Sequence, residues 1–314
     1  MPATGHWKAD DLPDLTGRTF VVTGANSGLG YEATRALARK GARVVMACRD
    51  PARAQAALDE IRAQVPDSGV EAMQLDLADL ASVRRFAEAF LSRHDTLHGL
   101  CNNAGVMALP FRKTADGFEM QFGTNHLGHF ALTGLLLEAL LHTPGARVVN
   151  QSSTAHKVGR LDFDDLHWER RRYSKWRAYG QSKLSNLLFT YELQRRLEAR
   201  RAQVIAAACH PGYAATNLQS AGPRMQGAPL RERGMELANR IFSQSAEMGA
   251  LPLIYAATAP QLQGGEYIGP DGFAESRGYP KQVRSSPRSY DTGAAARLWA
   301  ASEKLTGVRY EPLR

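Results

Sequence analysis

The stretch "FVVTGANSGLGYEATRALARKGARVVMACRD", Phe20 to Asp50, decides how the rest of the chain is read. Val21 and Val22 are β-branched and open the stretch as a buried strand. Gly24, Gly28 and Gly30 follow in the spacing G-x-x-x-G-x-G. From Glu32 to Lys40, Ala and Leu recur at helical intervals, Gly41 stops the helix, and "ARVVMAC" is a second strand. Glycines at such a turn let the backbone approach a partner closely. The helix behind it directs unpaired N–H groups and the positive end of its dipole at the same spot, an arrangement that suits a phosphate or pyrophosphate. The spacing differs from G-x-G-x-x-G, and no G-K-[ST] follows, so this is not a P-loop.

The strand–helix alternation continues. A helix is expected from Pro51 to Val65, a strand in "VEAMQLDL", and a helix opened by Asp79 and running to His94. A strand in "LHGLCNNAG", a long helical stretch over 117–142 and a strand in "ARVVNQSS" come next. A strongly helical segment from Ala178 to Arg201, a strand in "QVIAAACHPG", a helix near Ser245–Thr258 and a short strand in "GGEYIGP" complete the series. Such alternation predicts an α/β fold: a doubly wound, Rossmann-like parallel sheet of about seven strands, helices on both faces, in one domain spanning 1–314. The expected core is 18–270, with an insert at 156–177, a substrate lid at 217–247 and a C-terminal extension at 271–314. The lid is read from Pro223, Gly227, Pro229 and Gly234 among Leu and Met residues.

The 314 residues are 44% hydrophobic and 22% charged, as in an ordinary globular protein able to bury a full core. Net charge is +8, with a basic run in "HWERRRYSKWR". No nucleic-acid-binding module accompanies that run and Glu169 interrupts it, so it reads as a solvated loop, with no nucleic-acid partner. Cys48, Cys101 and Cys209 close apolar runs and read as buried free thiols. His126 and His129 lack further converging ligands, which predicts no metal. There is no signal-peptide pattern and no membrane-spanning run, so a cytoplasmic location is the default expectation.

In open α/β sheets, ligands gather at the carboxyl ends of the strands. Those ends carry the Gly-rich turn, Arg49, Asp76, then Asn102, Asn103 and Gly105, then Ser152 and Ser153, then His210, Pro211 and Gly212. This set is too polar and glycine-rich for packing alone and describes one site. Beyond it, "AYGQSKLSN" places Tyr179 and Lys183 four apart, on one face of a helix. An ammonium beside a phenol stabilises the phenolate, so the pair suits acid/base work on a carbonyl or alcohol oxygen. Asp76 is open to two readings, contact with an adenine edge or a cap on the next helix. Trp168, Tyr173 and Trp176 form either an apolar rim or anchors for the insert.

Taken in order, "TGANSGLG" (23–30), "NNAG" (102–105), "NHLGHF" (125–130), "VVNQSS" (148–153), "YGQSK" (179–183) and "HPGYAAT" (210–216) resemble the motifs of the short-chain dehydrogenase/reductase family. "MACRD", "FGTNHLGHF", "FDDL" and "QSKLSNLLFTYEL" look like its retinol dehydrogenase and WW-domain oxidoreductase branch. The likeness covers about 18–270. It implies Tyr179 as acid/base, Lys183 lowering its pKa and bonding the nicotinamide ribose, Ser153 bonding the substrate oxygen, and Asn125 holding a water in a proton relay. Ser152 is the rival for the serine role. The likeness also implies that Gly24, Asn26, Ser27, Gly28, Leu29 and Gly30 form the dinucleotide turn. Arg49, Asp76, Leu77, Asn103, Ala104, Gly105, Tyr179, Lys183, Pro211, Gly212 and Thr216 would complete the cofactor site. Strand two ends at the neutral Cys48, where NAD-specific relatives of this fold carry an acid, and Arg49 follows it. NADP(H) is therefore expected over NAD(H), with a small-molecule carbonyl or alcohol as substrate and a homo-oligomer possible. The alternatives are reduction of a polarised C=C bond and a cofactor-bound sensor or scaffold without turnover. The charged insert separates Ser153 from Tyr179 further than in compact members of the family, and can loop outward without disturbing their geometry. Neither a membrane anchor nor a small binding module is read in the sequence.

Overall fold

The computed structural model describes residues 6–213 and 244–313. Its sheet is formed by β1 (Thr19–Thr23), β2 (Arg43–Cys48), β3 (Val70–Gln74), β4 (Gly99–Asn102), β5 (Ala146–Gln151), β6 (Val204–Cys209), β7 (Tyr267–Pro270) and β8 (Pro280–Val283), in the order 3-2-1-4-5-6-7-8. Strands β1 to β7 run parallel and β8 pairs antiparallel with β7. The seven parallel strands are those the periodicity predicts. The eighth lies in the stretch beyond 275 that carries no strand pattern, because two of its four residues face solvent and a Pro opens it. It ends the sheet as a short edge strand.

Strand residues alternate between two cores. Val21 and Val45 point to one face, Phe20, Val22, Val44 and Met46 to the other. The second face is covered by α1 (Gly28–Arg39), α2 (Pro51–Gln64) and α8 (Ala246–Thr258), through Ala33, Leu37, Leu58, Ile61, Leu253 and Ile254. The first is covered by α3 (Leu80–Leu91), α5 (Gly128–Leu135) and α7 (Lys175–Ala199), through Phe86, Phe90, Phe130, Phe189 and Leu193. Two-sided burial explains why the strands read as continuous apolar runs. Asp50, Asp79 and Ser245 cap α2, α3 and α8 with their side chains, so those starts were legible from capping chemistry.

The long helical stretch is not uniform. It runs as α4 (Met120–Phe122), a π turn (Gly123–Leu127), α5 and α6 (Leu137–Leu141). The π turn holds Asn125, and such bulges are frequent at functional sites. The C-terminal helix α9 (Thr292–Thr306) packs back on this region. There Trp299 and Tyr310 join an aromatic cluster with Phe130 and Phe189.

Of the two arrangements open to the insert, it takes the anchored one and folds onto the body. Leu166 and Trp168 are buried, and the Asp165 carboxylate accepts from the amides of Glu169, Arg170 and Arg171. Arg171 lies 3.8 Å over the Trp168 ring and donates to Gln181 on α7. An unsatisfied Asp165 in that packed corner would be costly, so three amides and one guanidinium fold the segment onto the body. Arg170, Arg172 and Arg177 remain exposed, as a solvated basic run predicts.

Candidate functional site

The Gly-rich turn joins β1 to α1. Gly24 has φ +66°, in the left-handed region, and a Cβ there would lie 3.0 Å from that of Ala104. A Cβ on Gly30 would run into the Gly24 carbonyl and come within 2.7 Å of Asn103 Nδ2. Ser27 precedes α1 in extended conformation and gives its amides no side-chain cap. With Asn26, Ser27 and Gly28 half-buried and Leu29 and Gly30 buried beneath them, the turn presents backbone N–H groups and the positive helix end together. Cys48 supports it from below: its buried thiol, pushed up to about 11 by burial and so neutral, accepts from the amides of Ala25 and Asn26. Arg49 is exposed at the end of β2. Beside it, Asp50 Oδ1 accepts from the amides of Ala52 and Arg53, capping α2.

At the end of β4, Thr23 ties three elements together. Its hydroxyl receives the amides of Asn103 and Ala104, each at 2.9 Å, and lies 2.9 Å from His129 Nε2. Asn103 Nδ2 donates to the Thr23 carbonyl. His129 Nδ1 lies 3.0 Å from the Asn125 carbonyl, so the ring braces the π turn against β1. Burial holds His129 down at about 4 and His126 at about 3, so both rings are neutral members of the core. Among the described residues no cluster of His, Cys, Asp and Glu could hold a metal.

Asp76 does not cap α3, because Asp79 does that. Its own carboxylate closes a turn on the Ala78 amide, while its amide donates to Ser82. The neighbouring Leu77 is buried.

Asn125, Lys183 and Gly105 meet in one corner. A Cβ on Gly105 would lie 3.1 Å from Asn125 Oδ1 and 3.5 Å from Lys183 Nζ. The fully buried Asn125 side chain accepts from the Val106 amide and donates to the Val106 carbonyl and to Ser182 Oγ. Lys183 Nζ donates to the Gln151 carbonyl at 3.0 Å, and burial lowers its pKa to about 8. Tyr179 is buried one helical turn earlier. Its phenol is pushed up to about 12 by burial, against a hydrogen bond with Ser153 that lowers it. The expected ammonium-driven fall in the Tyr179 pKa is absent from this geometry. Lys183 Nζ is engaged with Gln151 and sits 5.7 Å from the centre of the phenol ring, and desolvation wins.

The two serines are told apart by direction. Ser152 is buried and donates to the Lys183 carbonyl, holding α7 against β5. Ser153 bonds Tyr179 instead. Trp168 and Tyr173 are anchors: Tyr173 Oη donates to the buried Glu119 carboxylate. Trp176 is 52% exposed and edge-on to Tyr179, so it alone of the three is exposed beside the phenol.

After β6, Pro211 accepts from Gln244, and Gly212, at φ +65°, donates to His210 Nδ1. His210 is buried, its Nε2 3.1 Å from Glu275 Oε2. Tyr213 and Gln244 are joined through Tyr213 O and Gln244 N. Thr216 and residues 217–243 of the expected lid lie outside the described residues. Its remaining end, residues 244–247, is a bridge residue, the Ser245 cap and the first turn of α8.

Sequence reading missed the supports: Thr23 as a tie, Gln151 as the acceptor for Lys183, Gln181 as the link to the insert. Their partners are too distant in sequence for any local pattern to mark them.

A doubly wound parallel sheet with a Gly-rich turn and a Ser–Tyr–Lys–Asn corner at the strand ends defines a class, and the comparisons agree. The chain belongs to the short-chain dehydrogenase family, whose pattern matches residues 18–226. Retinol dehydrogenase 13 of Homo sapiens is 42% identical over 306 residues, 95% of this chain and 89% of its own length. Retinol dehydrogenase 12 of Homo sapiens is 44% identical over 303 residues, with the same coverage. The crystal structure of an uncharacterised protein from Mycobacterium paratuberculosis has a TM-score of 0.80 at 46% identity, over 98% of this chain and 99% of that one.

Proposed function

We propose that the protein is an NADP(H)-dependent oxidoreductase acting on the carbonyl or alcohol group of a bulky apolar small molecule. The observation that carries the reading is the corner where Ser153, Tyr179, Lys183 and Asn125 meet at the carboxyl ends of the strands, next to Gly105.

The residues fit a dinucleotide. The uncapped amides of α1 and the cradle at Gly24 and Gly30 suit the pyrophosphate. Asn103, Ala104 and Gly105 would line its path, Asp76 and Leu77 would lie at the adenine end, and Lys183 would hold the ribose. Pro211, Gly212 and Thr216 would hold the carboxamide. Arg49 would take the 2′-phosphate, with the neutral Cys48 in place of a repelling acid. When bound, the nicotinamide supplies or accepts the hydride.

The chain's own residues handle the proton. Burial keeps Tyr179 protonated at neutral pH, ready to donate from Oη to the carbonyl oxygen during reduction. Ser153 fixes that oxygen. Lys183, its pKa lowered to about 8 by burial and its Nζ bonded to the Gln151 carbonyl, would hold the cofactor ribose beside the phenol. Asn125 holds the π turn open beside it. The apolar substrate class is supported by relatives named for retinol, and by Trp176 exposed beside the phenol.

The test is NADPH consumption against aldehydes, ketones and enones of graded size. NADPH should be oxidised with bulky apolar aldehydes or ketones, and more slowly with small charged ones. Turnover confined to enones would move the reading to C=C reduction. No turnover with any carbonyl, in either direction, would remove it.

A further inference from the structure

His156 stands three residues beyond Ser153, in the 3-10 turn Thr154–Val158, and its ring is 1% exposed. Its Nδ1 lies 2.6 Å from the Ser153 carbonyl. Its Nε2 receives the amide of Ser286 at 2.9 Å, from the C-terminal extension. A backbone N–H can only donate, so Nε2 is the acceptor and the ring proton sits on Nδ1, donating to Ser153. The neutral ring this requires agrees with a pKa held below the usual value by burial, which outweighs the bond to the Ser153 carbonyl; Lys157 and His210 act with burial and Glu275 against it.

The Ser153 carbonyl also accepts the His156 amide, at 3.0 Å. The peptide unit that follows Ser153 is thus clamped twice, while the Ser153 hydroxyl accepts the Ala155 amide and bonds Tyr179. Small errors in the position of a reacting group are expensive in rate. Tyr267 packs edge-on against the His156 ring, at 5.6 Å, and leaves it little freedom to turn.

We propose that His156 is a positioning residue for the reaction, clamping Ser153 through its main-chain carbonyl and linking that serine to the C-terminal extension through the Ser286 amide. The inference rests on the functional reading above. It gives residues 271–314 a part in the site, although none of them is placed among the reacting groups.

The experiment uses the full chain. Long-range proton–nitrogen correlation on the labelled protein should find His156 protonated on Nδ1 at neutral pH, and an Nε2–H tautomer overturns the proposal without any assay. His156→Ala should lower kcat by about 10- to 100-fold, with NADPH affinity unchanged. His156→Asn keeps a donor close to the position of Nδ1 and should restore most of kcat, whereas a merely structural role predicts that Asn and Ala behave alike. Should His156→Ala fail to fold, Ser286→Pro removes the N–H together with a side-chain hydroxyl that has no hydrogen-bond partner, at a φ of −67° that proline itself adopts. It should lower kcat relative to the wild type, and full kcat in it overturns the proposal; where His156→Ala folds, the double variant should lose no more than His156→Ala alone. Full kcat in His156→Ala, or additive losses in the double variant, overturns the inference while the functional reading stands. A wild type that turns over no carbonyl removes both.

Discussion

The nucleotide half and the catalytic half of the site are made rigid in different ways. Around β1 and α1, the shape comes from what is missing: Gly24 and Gly30 allow backbone to pass where a side chain would collide. Around β5 and α7, it comes from side chains that bond across the fold, such as Lys183 to Gln151, Ser152 to Lys183, Asn125 to Val106 and Ser182, and His129 to Thr23. The first half is a local object built from consecutive residues. The second is assembled from elements far apart in the chain and is only as well placed as the contacts that hold them. Loss of one polar atom should therefore cost turnover in the catalytic half and binding in the nucleotide half.

The largest effect is expected at Tyr179. Tyr179→Phe removes the phenol oxygen and leaves the ring, so turnover should fall by at least about a hundredfold, while fluorescence titration finds NADPH affinity nearly unchanged. A variant that keeps turnover would erase the distinction between the two halves.

Lys183 comes next, read through stability. Its folded pKa of about 8 lies below the ordinary 10.5, because burial disfavours the charged form. The unfolded chain therefore holds this proton to higher pH than the folded one. Stability should rise as pH climbs from 8 to 10.5 and be lost again as pH falls back through 8. Relative to Lys183→Met, denaturant unfolding should show a gain of about 3 kcal/mol across that window and a flat difference below it. A flat difference throughout would mean that the amine is better solvated than its burial indicates.

Arg49→Ala sharpens the comparison from the other side. It should weaken NADPH binding by about 1.5–3 kcal/mol, leave NADH binding nearly untouched and leave kcat at saturating cofactor unchanged. Equal weakening of both cofactors, or a wild type that prefers NADH, would show that Arg49 does not read the phosphate.

Most of the architecture was legible because its signals are local. Apolar runs gave seven strands, and Asp50, Asp79 and Ser245 marked three helix starts through capping that needs only neighbouring residues. The start of α7 was not legible. Lys175 to Arg177 are polar and extend the helix before Ala178, where the apolar face begins. The choice of Ser153 over Ser152 came from a resemblance. Its physical reason, that Ser152 turns into α7 to bond the Lys183 carbonyl, lies in the packing of two elements.

The sequence by itself determined the alternation of strands and helices, the Gly-rich turn, the neutral Cys48 beside Arg49, and the shared helix face of Tyr179 and Lys183, since each depends on residues close in the chain. Only the tertiary structure decided that the insert folds onto the body through Asp165 and Arg171, and that a π turn at Asn125 is braced by His129. It also decided that the Tyr179 phenol stays high in pKa and that the C-terminal extension reaches Ser153 through His156. These depend on desolvation and on hydrogen bonds between residues far apart in sequence. Both exist only once the elements that carry them are packed together.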